Sequence, residues 1–268
     1  MKRKLLLFAI LLVILTLFFG YGATLYPHPA DLPSGDSLAA PSSQHFLGTD
    51  NLGIDIYAQI SVGFFRSMAI GLLTAAVSFA LGGALGILAG FLGGKIDGVV
   101  SFLINVFLSV PQLPIMIVIG AFFGQSTANI IIIIAAFSWA PIAKQTAAKT
   151  RSIRRADYVV MARSYGGSAW YLIRRHMARE LLPLLLVTSL AVVGKAILQE
   201  SSLAFLGLSD PLAKSWGLMI ARATAFKGIF LLPFWKWWIL PPAFALLCSV
   251  VLLRQASRTL EQHLLKEG

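Results

Sequence analysis

The chain has 268 residues, of which 57% are hydrophobic and only 12% charged, with a mean hydropathy of +0.80. Soluble domains carry roughly 25% charged residues, so this composition excludes a soluble globular protein and describes a polytopic, all-α membrane protein in contact with lipid. The net charge of +11 would suit nucleic acid, but basic residues gather in alternate loops, as membrane orientation requires, and no nucleic-acid partner is expected.

A spanning helix needs ~20 mostly apolar residues, and six segments qualify: 5–23, 67–92, 99–123, 129–143, 184–206 and 237–253. The first belongs to an N-terminal segment, 1–23, that opens with Lys2-Arg3-Lys4 and closes with Gly20-Tyr21-Gly22-Ala23. This suits an uncleaved anchor or a secretory signal peptide; the near-spanning length and the pairing of the remaining spans favour the anchor. Segment 24–65 is polar, contains Pro27, Pro29, Pro33 and Pro41, lacks Lys and Arg, and reads as an extracytoplasmic loop and lead-in. The membrane core follows over 66–256, with a tail over 257–268.

In the second span Gly82, Gly86 and Gly90 fall four apart and line one face. Such a stripe permits close approach of another helix, from this chain or from another subunit. The span ends in Gly93-Gly94-Lys95. The phosphate-binding loop pattern fails there, because Ala89 and Ile96 stand where it needs Gly and Ser or Thr. Pro111 and Pro114 in the third span predict a broken or re-entrant helix.

The loop 144–183 is the most basic part of the chain, with Lys144, Lys149, Arg151, Arg154, Arg155, Arg163, Arg174, Arg175 and Arg179. Together with Lys95, Arg254, Arg258 and Lys266 it places both termini in the cytoplasm, against the contrary charges Lys214, Arg222, Lys227 and Lys236. Within it, Asp157-Tyr158-Val159-Val160-Met161-Ala162-Arg163 reads as a short amphipathic helix, capped by Asp157 and stopped by Gly166-Gly167. Its apolar side comprises Val159, Val160, Met161, Ala162 and Tyr165, while Arg154, Arg155 and Arg163 stay wet. A helix this short needs a partner surface, either the body of this chain or a second protein.

Lys195 and Glu200 fall inside the fifth span, where a lipid-facing charge costs about 3 kcal/mol. Both are expected to face the bundle or a wet cavity, as the lining of a translocation path or as a structural pair, with Glu200 alternatively at the outer interface. The four histidines, His28, His45, His176 and His263, lack metal-ligand spacing, and Cys248 is the single cysteine. No metal site, resident cofactor or catalytic motif is expected in this chain.

Several stretches then resemble one family. His45-Phe46-Leu47-Gly48-Thr49-Asp50-Asn51-Leu52-Gly53-Ile54-Asp55 looks like the entry motif of peptide and nickel import permeases, the C-type membrane subunits of binding-protein-dependent ABC importers. Residues 196–208, Ser215-Trp216-Gly217-Leu218-Met219, 90–97, Val110-Pro111 and 252–260 fit as well, so the resemblance covers about residues 44–260. The family's cytoplasmic Glu-Ala-Ala, three residues, Gly signature falls on Val160-Met161-Ala162 and Gly166, where only Ala162 and Gly166 match. Ala178-Arg179 replaces a later Leu-Pro, and Ile54 the usual arginine.

The resemblance implies an ABC importer type I permease (MetI-like) fold of about six transmembrane helices in a bacterial inner membrane. It implies a second related permease subunit, two cytoplasmic ATPase subunits that hold ATP and magnesium, and an extracytoplasmic binding protein delivering a peptide or a nickel chelate. The short helix from Asp157 to Gly167 would then couple to the ATPase, and this chain would be no enzyme. The alternative is a self-sufficient secondary transporter or channel, with Lys195 and Glu200 handling coupling ions; a membrane-embedded enzyme has no motif in its favour.

Overall fold

The computed structural model describes residues 2–267, with side chains over 6–264. The side chains of Lys2, Arg3, Lys4 and Lys266, used in the charge argument, therefore lie outside the described residues. Helix α1 spans Lys2–Thr24, α2 Ile56–Leu92, α3 Gly94–Ser109, α4 Gln112–Phe123 and α5 Thr127–Arg154. Next come α6, Asp157–Ser164, and α7, Ala169–Leu172; a π-turn over Ile173–Met177 leads from α7 into α8, Ala178–Phe205. Helices α9, Trp216–Ala225, α10, Trp235–Trp238, and α11, Leu240–Glu267, complete the order.

Five helices or helix runs are long and apolar enough to cross a membrane, and α3 with α4 makes a sixth crossing bent by 91°. The break falls at Val110-Pro111, where Val110 is extended, the conformation that a following proline favours. Pro114 sits in the first turn of α4, where its missing N–H costs nothing. The fourth crossing is far longer than the segment 129–143: α5 runs on unbroken to Arg154. At 37 residues, α2 is about 55 Å long and overshoots a hydrocarbon layer of ~30 Å.

Neighbour contacts fix the relative directions of the five unbent crossings. Gly20 lies against Phe65 and Gly22 against Ser61 and Tyr57, so α1 and α2 are antiparallel. Gly82, Gly86 and Gly90 meet Ile142, Thr146 and Thr150 in the same order, so α2 and α5 are parallel. Gly71 against Ile197 and Gly83 against Leu185 make α8 antiparallel to α2, and Gly194 against Leu253 with Ser257 bonding the Val187 carbonyl makes α11 antiparallel to α8. The start of α1 and the end of α11 thus lie at the same end of the bundle as the α2–α3 turn, α6 and α7.

The glycine stripe is spent inside the chain. A Cβ on Gly86 would stand 2.6 Å from Thr146 Cβ and 2.8 Å from the Ala143 carbonyl oxygen. Lipid tails give apolar helices no reason to associate, so closely packed backbones supply the contact.

On the opposite face the His45–Asp55 motif is the cap of α2. Asp55 Oδ1 accepts from the Ala58 N–H at 3.0 Å, while its Oδ2 accepts from Tyr26 at 3.1 Å and lies 2.8 Å from His45 Nδ1. Asp50 holds the Leu52 and Ile54 N–H groups and the Gln59 side chain. Ile54, at the place of the family's arginine, is buried. Trp216 is fully buried beneath this cap, its Nε1–H bonding the Ile60 carbonyl at 3.1 Å, and Ser215 caps α9.

Overpacking of this kind costs about 1–3 kcal/mol or more. Gly86→Val is therefore expected to lower the thermal unfolding midpoint in detergent by several degrees. Gly98→Ala, where a Cβ meets nothing within 4 Å, should leave it unchanged or raise it.

Candidate functional site

The residues singled out in the sequence as functional candidates fall mainly in two places: the short helix α6 with its surroundings, and the polar side chains at the α3–α4 break. The base that carries α6 is stitched from three helices. Arg151 pairs with Asp97 at 2.7 Å, and the Arg154 guanidinium donates to the Phe91 carbonyl at 2.8 Å, fixing the end of α5 to α2 and α3. Three residues after Arg154 α6 begins.

Asp157 does not cap α6, contrary to the sequence expectation. The N-cap position is Ala156, without a side-chain bond, and Asp157 is the first helical residue, where its charge favours the helix dipole. The stop is as expected. Gly166 takes a left-handed φ of 85°, the Gly166 N–H bonds the Arg163 carbonyl and the Gly167 N–H the Ala162 carbonyl, each at 3.0 Å. That pair of bonds is the Schellman arrangement.

The apolar side of α6 is divided between two environments. Val159 is 1% exposed and packs with Ile153, Leu172, Met177 and Leu181, with Ala162 at the edge. Val160, Met161 and Tyr165 are 49%, 63% and 91% exposed, and the neighbouring Trp170 is 69% exposed. Val160 and Arg163 line a cleft of about 420 Å³ with Phe91, Arg154, Ser164 and Leu172.

Tyr158 completes the attachment. Its hydroxyl donates to Glu180 Oε1 at 2.6 Å, and Lys149 reaches Glu180 Oε2 at 2.7 Å, joining α6, α8 and α5. Both ends of that ion pair are about 40% exposed in their side chains, and such pairs contribute at most about 1 kcal/mol. Full burial of one Val side chain is worth about 1.5–3 kcal/mol, so Val159 anchors the helix and the hook sets its angle. The hook residues Lys149, Tyr158 and Glu180 also line a cleft of about 900 Å³ with Arg175, His176 and Glu261 among others.

At the helix break, Lys195 Nζ donates to Gln112 Oε1 at 2.7 Å and Gln199 Nε2 donates to the same oxygen at 3.3 Å. Gln112 and Gln199 are members of this cluster that the sequence did not single out; a proline break with a glutamine one residue on was the available signal. Glu200 is elsewhere. It is fully buried, with the Ser201 hydroxyl 3.4 Å from Oε2 and no hydrogen-bond partner at Oε1. Lys195 and Glu200 do not form a pair.

The fold also brings His28, His45 and Asp55 together, with one ligand-type atom of each within 4.8 Å of the others. Sequence spacing could not show this, since the three are 27 residues apart at most and meet only through the loop's turns. Their atoms already serve the cap: His28 Nε2 bonds the Gln44 carbonyl at 3.0 Å, and His45 and Asp55 bond each other.

Hydrogen bonding to Glu180, followed by burial, raises the Tyr158 pKa from 10.0 to about 12. The folded protein therefore holds this proton more tightly than a free phenol does. The hook's contribution is complete below pH 10 and is lost as pH rises towards about 12. A tyrosinate absorbance titration of wild type minus Tyr158→Phe should show one phenol titrating near that upper value; a difference centred at 10 would break the hook assignment.

A family model described as "Binding-protein-dependent transport system inner membrane component" matches residues 82–266. The chain is 32% identical over 243 residues to the probable D,D-dipeptide transport system permease protein DdpC of Escherichia coli K12, covering 90% of this chain and 79% of that one. It is 32% identical over 224 residues to the glutathione transport system permease protein GsiD of Escherichia coli O1:K1, covering 82% and 72%. A chain of the inward-facing MetNI methionine ABC transporter superposes with a TM-score of 0.61 at 15% identity, covering 75% of this chain and 94% of that chain. That likeness concerns the fold, and with the six crossings it makes this an ABC importer permease fold. The chain belongs to the family of inner-membrane components of binding-protein-dependent transport systems.

Proposed function

We propose that this chain is one permease half of an ATP-driven peptide importer and that α6 is the helix on which a cytoplasmic ATPase docks. The observation that carries the docking reading is the division of α6. Val159 and the Tyr158 hook fasten one side to the bundle, while Val160, Met161, Tyr165 and Trp170 present large apolar groups outward on the same face of the protein. Aromatic and Met side chains in such a patch are what a buried interface centre uses. The missing glutamate at Val160 fits a docking surface that relies on apolar contact in place of a carboxylate.

The peptide substrate is supported by the names of the two relatives, which are permeases of D,D-dipeptide and glutathione systems. A nickel chelate has no such support. The face that carries α6 is assigned to the cytoplasm because its loops hold most of the lysines and arginines, and both termini go with it. ATP and magnesium belong to two ATPase subunits; a second permease supplies the other half of the path, and an extracytoplasmic binding protein delivers the peptide. Closure of the ATPases would rock the two permease halves, with α6 as the rigid link. Lys195, exposed beside the helix break, lines the path; Glu200, sealed within the bundle, is given no part in it.

Gentle-detergent purification of the tagged chain from its native cells, followed by mass spectrometry, should recover a second permease and ATPases. The double variant Met161→Asp, Tyr165→Asp should lose more than about tenfold of the ATPase, equivalent to about 1.4 kcal/mol, while keeping the second permease and its melting midpoint. Val160→Glu should weaken ATPase capture in the same direction. Recovery of the intact chain alone, under conditions that hold comparable complexes together, would instead indicate a self-sufficient transporter.

A further inference from the structure

The cluster at the α3–α4 break carries hydrogen-bonding capacity that the chain itself does not fill. Lys195 lies within the spanning stretch of α8, and its ammonium has three N–H groups, of which one reaches Gln112. Among the described residues no carboxylate pairs with it. Gln199 is only 6% exposed, donates from Nε2 to Gln112, and has no hydrogen-bond partner at Oε1. A neutral amide does not cancel an ammonium charge, and an uncompensated one facing lipid costs about 3 kcal/mol. A buried amide oxygen without a donor costs a further 1–3 kcal/mol, roughly.

The two vacancies are complementary to one small chemical unit. Lys195 is exposed and lacks an anion, while Gln199 Oε1 is sealed and lacks an N–H; both side chains are anchored on the same Gln112 oxygen, so a group that reaches Lys195 and displaces the long Gln199–Gln112 bond meets both. The last residue of a peptide presents a carboxylate and, on the same α-carbon, an amide N–H. The broken helix also leaves α4 with free N–H groups at its start, beside Gln112, which adds to the positive potential there.

We propose that Lys195, Gln112 and Gln199 form a station within the membrane for the C-terminal carboxylate and last amide N–H of a peptide in transit. This rests on the reading of the chain as half of a peptide path. One lysine and two neutral amides would hold the carboxylate loosely, as a path that must release its cargo requires. The station makes Lys195 and Gln199 specificity-determining residues of the permease, separate from the selection made by the binding protein.

The test uses the whole importer, with its second permease, ATPases and binding protein, in ATP-loaded proteoliposomes. The probes are L-alanyl-L-alanine and D-alanyl-D-alanine, each compared with its own C-terminal amide at concentrations that saturate the binding protein. Lys195→Met should cut uptake of the acids by about tenfold, or about 1.4 kcal/mol, and change uptake of the amides less than about twofold; Lys195→Arg should restore the acid preference. An equal loss for acids and amides would overturn the station and mark Lys195 as paired with a carboxylate of the second permease. No change for either would overturn it as well. Failure of the wild-type complex to import any of the four probes would overturn the peptide reading itself, and the station with it.

Discussion

The close parallel contact between α2 and α5 is the constraint on which the rest of this structure depends. Gly82, Gly86 and Gly90 remove the side chains that would keep the two backbones apart, and the carbonyls of Trp139, Ala143 and Ala147 come into the space. Two neighbouring helices that point the same way cannot be joined by a tight turn; the chain must recross the membrane between them. The α3–α4 pair makes that return, with a 91° bend at Val110-Pro111. A bend in hydrocarbon frees backbone groups that need protein or water around them. The polar residues Gln112, Lys195 and Gln199 meet at that place. The glycine stripe on one helix thus accounts for a polar break on another.

The same parallel contact brings the end of α5 beside the end of α2, where Arg151 and Arg154 tie it to Asp97 and the Phe91 carbonyl. Because α5 is stitched down at its last turn, the short helix that follows starts from a fixed point. Burial of Val159 holds α6 more strongly than the half-exposed Lys149–Glu180 pair can, and the Tyr158 hook mainly sets its orientation. A helix too short to be stable in water becomes a stiff projection by borrowing stability from the bundle. The opposite face is organised differently: the most recognisable motif of the sequence, His45 to Asp55, is consumed in capping α2.

Much of this was legible in the residues. Class, number of crossings, the break at the paired prolines and the Gly166 stop all follow from local rules, since hydropathy, proline sterics and left-handed glycine conformations need only neighbours in sequence. Charge distribution likewise gave the pairing of faces that the helix directions repeat. Local rules failed where a competing local arrangement existed: Asp157 can cap a helix, but the cap falls one residue earlier, at Ala156, and Asp157 opens α6. They failed also at the length of the fourth crossing, because α5 continues out of the apolar segment on contacts made by Thr146, Thr150 and Arg154 with α2.

By itself, then, the sequence determined that this is a six-crossing membrane protein of permease type, with a basic face bearing a short, self-terminating helix. Only the tertiary structure decided that the glycine stripe faces α5 of the same chain, that α6 is anchored through Val159 with Met161 and Tyr165 left outward, and that Lys195 and Glu200 part company. The physical reason is the same in each case. Periodicity assigns a residue to a face of its helix, but which neighbour that face meets depends on the direction and register of helices far apart in sequence. In lipid no hydrophobic gradient ranks those faces in advance; close packing and the pairing of scarce polar groups do so only once the bundle has formed.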